Sequence, residues 1–169
     1  MTVSSTTIKK SHSGDGSTTV FPYTFKIFAE DDITVILRNN TTGAESVQGQ
    51  SLYSVSGVGN ANGGNVTFNT APTSNQTVLL RRESAQTQTT DYVANDPFPA
   101  ATHEDALDKL TFMVQEQQET LDRAIKVSRT NTITSSEFTV GATDRANRIF
   151  AFDSNGDLSV TQEIGTFQG

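Results

Sequence analysis

Two histidines, His12 and His103, and the absence of cysteine set the chemistry open to this chain. Without cysteine there can be no disulfide, thiolate metal site or thiol nucleophile. Neither histidine stands in a Gly-x-Ser-x-Gly, His-Glu-x-x-His or phosphate-loop setting, so the groups for nucleophilic or zinc chemistry are not brought together by sequence. The glycine-rich stretch from Gly57 to Gly64 lacks a following Lys-Ser/Thr and a helix pattern, and reads as a hairpin loop rather than a phosphate cradle. Asp153, Asn155 and Asp157 copy the first three ligand positions of a calcium loop, yet the places that require Gly and a bidentate Glu hold Leu158 and Ile164. A β-turn is the better reading. Paired acids that could flank a glycosidic bond occur at Asp31-Asp32 and Glu104-Asp105, where turn solvation and helix-dipole effects account for them. The expectation is a chain with no catalytic residue, no metal and no cofactor.

What remains is the architecture that such residues decorate. A length of 169 residues allows one ordinary domain and an appendage. The low apolar fraction, 34%, leans toward β structure with polar loops or toward an assembly. A net charge of -7 without any Lys/Arg run argues against nucleic acid or an anionic membrane as partner. The first ten residues hold no signal-type apolar stretch, and no 18-residue apolar run occurs anywhere, which points to synthesis in a cytoplasm with no membrane contact in this region.

Residues 1–83 alternate in short runs broken by turn residues, the pattern of an antiparallel β-sandwich-like domain of about six strands. The clearest strand is Val20 to Phe28, with Phe21, Tyr23, Phe25 and Ile27 on one face. The turn Ser13 to Ser17 makes Thr2 to Lys10 its candidate hairpin partner. Ile33 to Leu37 ends at Asn39-Asn40-Thr41-Thr42-Gly43, implying a second hairpin. Leu52 to Val58, Val66 to Asn69 and Thr77 to Glu83 complete the set. Residues 84–101 lose the alternation and contain Asp96-Pro97-Phe98-Pro99, an extended connector. Phe98 between two prolines is a rigid apolar peg, for a partner or for its own domain.

At Thr102 the period changes to that of a helix over residues 102–127, with Thr102 as cap and Asp105 three residues on. Leu107, Leu110, Val114, Gln117, Leu121 and Ala124 fall at the alternating 3-4 spacing of a heptad seam, with Gln117 its polar interruption. The pairs Asp105/Lys109, Glu119/Arg123 and Asp122/Lys126 place acid before base by four residues, each worth about 0.2 to 0.5 kcal/mol, and would solvate the other face. Phe112 falls near the centre of that charged face. It needs a partner there, either the β-domain of its own chain or another protein. Residues 128–169 return to β-branched and polar types. Phe138-Thr139-Val140 is one run, and Ile149 to Phe152 and Leu158 to Val160 flank Asn155-Gly156, a strong hairpin signal. Nothing in Gly165 to Gly169 marks a terminus, so the natural chain is expected to continue.

Several of these segments, read in order, resemble the N-terminal domain of tail fibres and tailspikes of short-tailed, T7-like phages. They are Asp15-Gly16-Ser17 through Phe25, then Leu79-Leu80-Arg81-Arg82, then Asp91-Tyr92, Phe98-Pro99-Ala100, Glu104, Leu107-Asp108, Leu110, Gln115 and Leu121-Asp122-Arg123-Ala124. The resemblance spans roughly residues 3–127, and Arg145-Ala146-Asn147-Arg148 to Gly156 is similar to the element that often follows. It implies a homotrimer in a virion tail, with the helix forming a trimeric coiled coil and the β-domain docked on the tail's adaptor or nozzle proteins. Host-receptor contact would then lie in downstream residues. The heptad seam by itself leaves the strand number open; three is what the resemblance implies. Phe98 and Phe112 are the candidate partner-binding residues. The alternative is a fragment of a tailspike polysaccharide depolymerase or a carbohydrate-binding module, against which stands the absence of Trp and the presence of only three Tyr. A capsid or tail scaffold unrelated to fibres is a third reading.

Overall fold

Alternation in the N-terminal sequence becomes two antiparallel sheets around one apolar core. The computed structural model describes residues 3, 5–93, 97–130 and 140–163. The chain divides into two compact units, residues 1–123 and 124–169. In the first, strands β1 (Lys9–Ser13), β2 (Val20–Tyr23), β3 (Ile33–Asn39), β4 (Glu45–Val47), β5 (Tyr53–Ser56), β6 (Gly64–Phe68) and β7 (Gln76–Arg82) precede the long helix α1 (Ala100–Asp122). One sheet has the order β1-β7-β3-β4 and the other β2-β6-β5. Phe21, Tyr23, Phe25 and Ile27 enter the core together with Ile33, Val35, Tyr53, Val66, Phe68, Val78 and Leu80. Each such side chain contributes about 1.5 to 3 kcal/mol on burial. The chain is thus mainly β with antiparallel sheets and one long helix.

Two pairings differ from the sequence reading. The N-terminal strand does not form a hairpin with β2; it pairs with β7, with Ser11 opposite Leu79 and Lys9 opposite Arg81. The cause is the turn between them. Asp15 accepts hydrogen bonds from the Ser17 and Thr18 amides, and the Gly16 amide is held by the Pro72 carbonyl. The chain is therefore tied to the Pro72 loop and crosses to the second sheet instead of returning on the first. The expected strand from Val20 to Phe28 also stops its ladder early, at Tyr23 opposite Gly64. Its alternation persists, because Phe25 and Ile27 are still buried. Beyond Tyr23 the backbone leaves the ladder where Gly63, at φ +83°, packs directly on the Tyr23 carbonyl, a position only glycine fits. The Asp32 carboxylate then accepts the Phe28 and Ala29 amides at 3.0 and 2.9 Å, fixing the bend into β3.

The β3–β4 hairpin forms across Asn39 to Gly43 as the turn chemistry predicts, with Gly43 at positive φ and the Asn39 side chain accepting the Thr41 amide. Of the stretch Gly57 to Gly64, residues 57–63 form the loop joining β5 to β6, and Gly64 opens β6.

Helix α1 begins two residues before the expected cap. Pro99 is the N-cap and the His103 amide donates to its carbonyl, so Thr102 is already inside the helix. The sequence Pro-Ala-Ala explains this: a proline φ suits helix entry and two alanines follow at no conformational cost. The helix also ends at Asp122, short of Val127, with Arg123 as C-cap. Its last side-chain contacts with β1 and β7 are made from Glu119 and Thr120. A further turn without support beneath it has little stability of its own.

In the second unit, α2 (Ala142–Arg145) precedes the hairpin β8 (Arg148–Phe152) and β9 (Leu158–Glu163). The hairpin forms as the Asn155-Gly156 signal predicts, but through a five-residue loop, 153–157, in which Gly156 takes positive φ and Asn155 does not. Asp153 accepts the amides of Asn155 and Asp157, so its carboxylate serves the turn. Of the expected run Phe138-Thr139-Val140, residues 138 and 139 lie outside the described residues, as do 164–169.

Candidate functional site

The side chains of α1 divide sharply by face. At about 100° per residue, all its charged side chains (Glu104, Asp105, Asp108, Lys109, Glu116, Glu119, Asp122) and the capping Arg123 fall within roughly 140° of arc. The sequence pattern predicts that this arc faces water. Instead, it is the arc that docks on the β-domain. The basic residues of the β-domain supply the reason: Lys9, Arg81 and Arg82 from its strands and Lys26 from the segment between β2 and β3 present four cations to one line of acids on the helix.

Phe112 stands at the centre of this docking face, 2% exposed. Its ring lies 5.4 Å from that of Phe28, and the Arg82 guanidinium stacks over it at 3.6 Å from the ring centre. The ring anchors the helix to its own chain, which leaves it no surface for another protein in this arrangement. Arg82 continues the inward alternation of β7 after Val78 and Leu80, so strand geometry delivers it to the edge of the core. There it donates from Nε to Glu116 Oε1 at 2.9 Å and from an NH2 group to Gln115 Oε1 at 2.6 Å. Glu116 also accepts from the Ser84 amide and hydroxyl, both at 2.9 Å. Burial pulls the Arg82 pKa below its ordinary value, and the hydrogen bond and charge of Glu116 oppose that. All four groups satisfy one another, as a buried charge pair requires.

Two further ion-pair clusters flank this centre. Lys26 reaches Asp105 at 2.8 Å and Asp108 at 3.4 Å. Burial would lower its pKa, but the two carboxylates prevail and hold it above the usual value. Glu119 is held down to about 2 by hydrogen bonds from Arg123, with Lys9 and Arg81 adding to the effect against partial burial. The docking residues Arg82, Ser84 and Glu116 are missing from the sequence reading of the site. Their signal was present: an arginine at an inward strand position, and Asp108, Phe112 and Glu116 repeating at four-residue intervals on one helix face.

The opposite half of α1 carries no charged residue. Its seam residues Leu107, Leu110, Val114 and Leu121 are 52, 55, 64 and 54% exposed. Gln117 is exposed on the same line, and Ala124, also exposed, lies just past the helix. Of the heptad residues, the structure therefore brings five onto one open face. Phe98 is also exposed. It stacks on Tyr92 at 6.3 Å and meets the His103 ring at 5.2 Å, while the Tyr92 hydroxyl and His103 Nδ1 are 3.0 Å apart. His12 serves structure, its Nε2 being 2.7 Å from the Pro22 carbonyl. Among the described residues no group of His, Asp and Glu is placed to hold a metal ion. No helix among them is long and apolar enough to cross a membrane.

Fold and face together define an antiparallel β-module with a helix docked inside out, its charges turned inward and its apolar stripe outward. No family model matches the chain. A tail spike protein of Salmonella phage epsilon15 is 32% identical to it over 126 residues, covering 75% of this chain. The chain spans 12% of the length of that relative. The similarity supports a structural protein of a phage tail, and so a component of a virion.

Proposed function

We propose that this chain is the virion-anchoring part of a phage tail fibre or tailspike, a non-enzymatic module that assembles as a homotrimer. The β-domain attaches it to the tail's adaptor or nozzle proteins, and α1 gathers three chains into a coiled coil. Host recognition belongs to other residues of the fibre. One observation carries this reading: the uncharged heptad face of α1 is the exposed one. A helix docked on a domain ordinarily hides its apolar stripe and wets its charges. Here the arrangement is reversed, and leaving four large aliphatic side chains in water is costly unless a partner covers them.

The heptad positions agree with that partner being further copies. With Leu107, Val114 and Leu121 at a, and Leu110 and Gln117 at d, the docking residues Asp108, Phe112 and Glu116 fall at b, f and c, the outer positions of a coiled coil. Three β-domains can then surround a central seam without entering it. The number three comes from the likeness to T7-like fibre domains, and attachment to the tail from that likeness together with the epsilon15 relative.

The test is the mass of the chain in solution, by sedimentation or light scattering, with its natural downstream residues attached. A trimer is expected, and Leu110→Glu with Val114→Glu should reduce it to a monomer of unchanged β content. A monomeric parent protein would sink the proposal.

A further inference from the structure

The residues that usually choose a coiled coil's neighbours are neutral in this helix. Charges at e and g set partner and orientation in most such assemblies. In α1 the g positions are Ala106, Met113 and Thr120, and the e positions are Glu104, Thr111 and Gln118. Only Glu104, at the start of the second turn, is charged. Selection must therefore come from something beside the seam.

The connector supplies it. Residues 84–92 run alongside the g flank of α1 and leave a groove between strand of chain and helix. Toward the helix start the groove is mostly apolar, formed by Thr89, Ala106, Leu110 and Met113. Met113 continues it toward Gln86, Gln117 and Leu121. Its wall is fixed, because the Lys109 amine donates to the Thr87 carbonyl at 2.7 Å and Glu116 holds Ser84. Leu110 and Leu121 belong to groove and seam alike, so whatever covers the seam also meets the groove.

We propose that this groove receives the e edge of the next copy, with Thr111 and Gln118 of one chain seated between the connector and α1 of its neighbour. The inference rests on the trimer reading above and adds a second wall to each interface. In parallel order the e flank of one helix faces the g flank of the next, so the two unlike flanks meet around a closed ring. An antiparallel pair would instead set groove against groove. The neutral Thr111 suits the mostly apolar end of the groove, where a charge would be penalised, and the Gln118 amide suits the more polar end, which Arg81, Glu83 and Glu116 help to line.

Because these 169 residues contain no cysteine, thiol cross-linking can read this directly. The full chain carrying Thr89→Cys and Thr111→Cys, both on exposed sites, is treated at low concentration with a short bis-maleimide. Most of it is expected to migrate as a covalent trimer on a denaturing gel, whereas either single variant can give at most a dimer. Gln86→Cys with Gln118→Cys should behave alike at the other end of the groove. A Gln117→Cys chain serves as seam control. If it cross-links and both pairs yield only monomers, the groove assignment is overturned while the trimer stands. If sedimentation of the uncross-linked protein finds a monomer, both readings fail together.

Discussion

Arg82, Glu116 and Phe112 decide where the helix lies. Arg82 is 2% exposed, with a carboxylate on one side of its guanidinium and an aromatic ring on its face. Removing one member of such a buried pair leaves the other charge without compensation, at about 3 to 5 kcal/mol. Glu116→Ala, which also strips the Ser84 amide of its acceptor, should lose stability on that scale in chemical denaturation. Phe112→Ala should cost about 3 to 5 kcal/mol through the cavity between Phe28 and Arg82. In both variants, hydrogen exchange should show α1 losing protection before the β-core does, since Val35, Val66, Val78 and Leu80 are untouched. Equal loss across both elements would mean that the helix and the sandwich unfold as one.

At the scale of elements, α1 is bound to the β-domain by ion pairs as well as by the Phe112 ring, which makes part of its docking sensitive to acid. Glu119 is lowered from 4.5 to about 2 in the folded protein, chiefly by Arg123 and Lys9. A depressed carboxylate stabilises the fold above its unfolded pKa and loses that contribution as pH falls through its folded one. Protection of the second half of α1 should therefore decline from pH 4.5 toward pH 2. Glu119→Gln should flatten the decline across this window. Added salt should weaken the same contribution, because Lys9 and Arg123 remain partly solvated. The seam on the opposite side of the helix is uncharged, so a trimer held by it should be far less sensitive to salt.

For the whole molecule, the proposed division of labour assigns tail attachment to residues 1–83 and chain gathering to α1. Phage whose fibre or spike gene lacks those first 83 residues but keeps the downstream chain should produce particles without the appendage, visible by electron microscopy and by immunoblot of purified virions. Retention of the appendage at normal copy number would place attachment elsewhere.

The amino-acid sequence alone determined the elements and their faces. Alternation at Phe21, Tyr23, Phe25 and Ile27 marked a core, Asn39 to Gly43 and Asn155-Gly156 marked hairpins, and the spacing from Leu107 to Leu121 marked a helix with an apolar stripe. These signals are local, because they depend on residues within a turn or two of each other. What partnered each element was decided only in the tertiary structure. β1 joins β7 because the Asp15 turn is tied to the Pro72 loop, a contact between residues far apart in the chain. The orientation of α1 was likewise beyond the helix's own sequence. Its acids would ordinarily face water, and only the assembled β-domain, by gathering Lys9, Lys26, Arg81 and Arg82 on one surface, turns them inward and leaves Leu107, Leu110, Val114 and Leu121 outside.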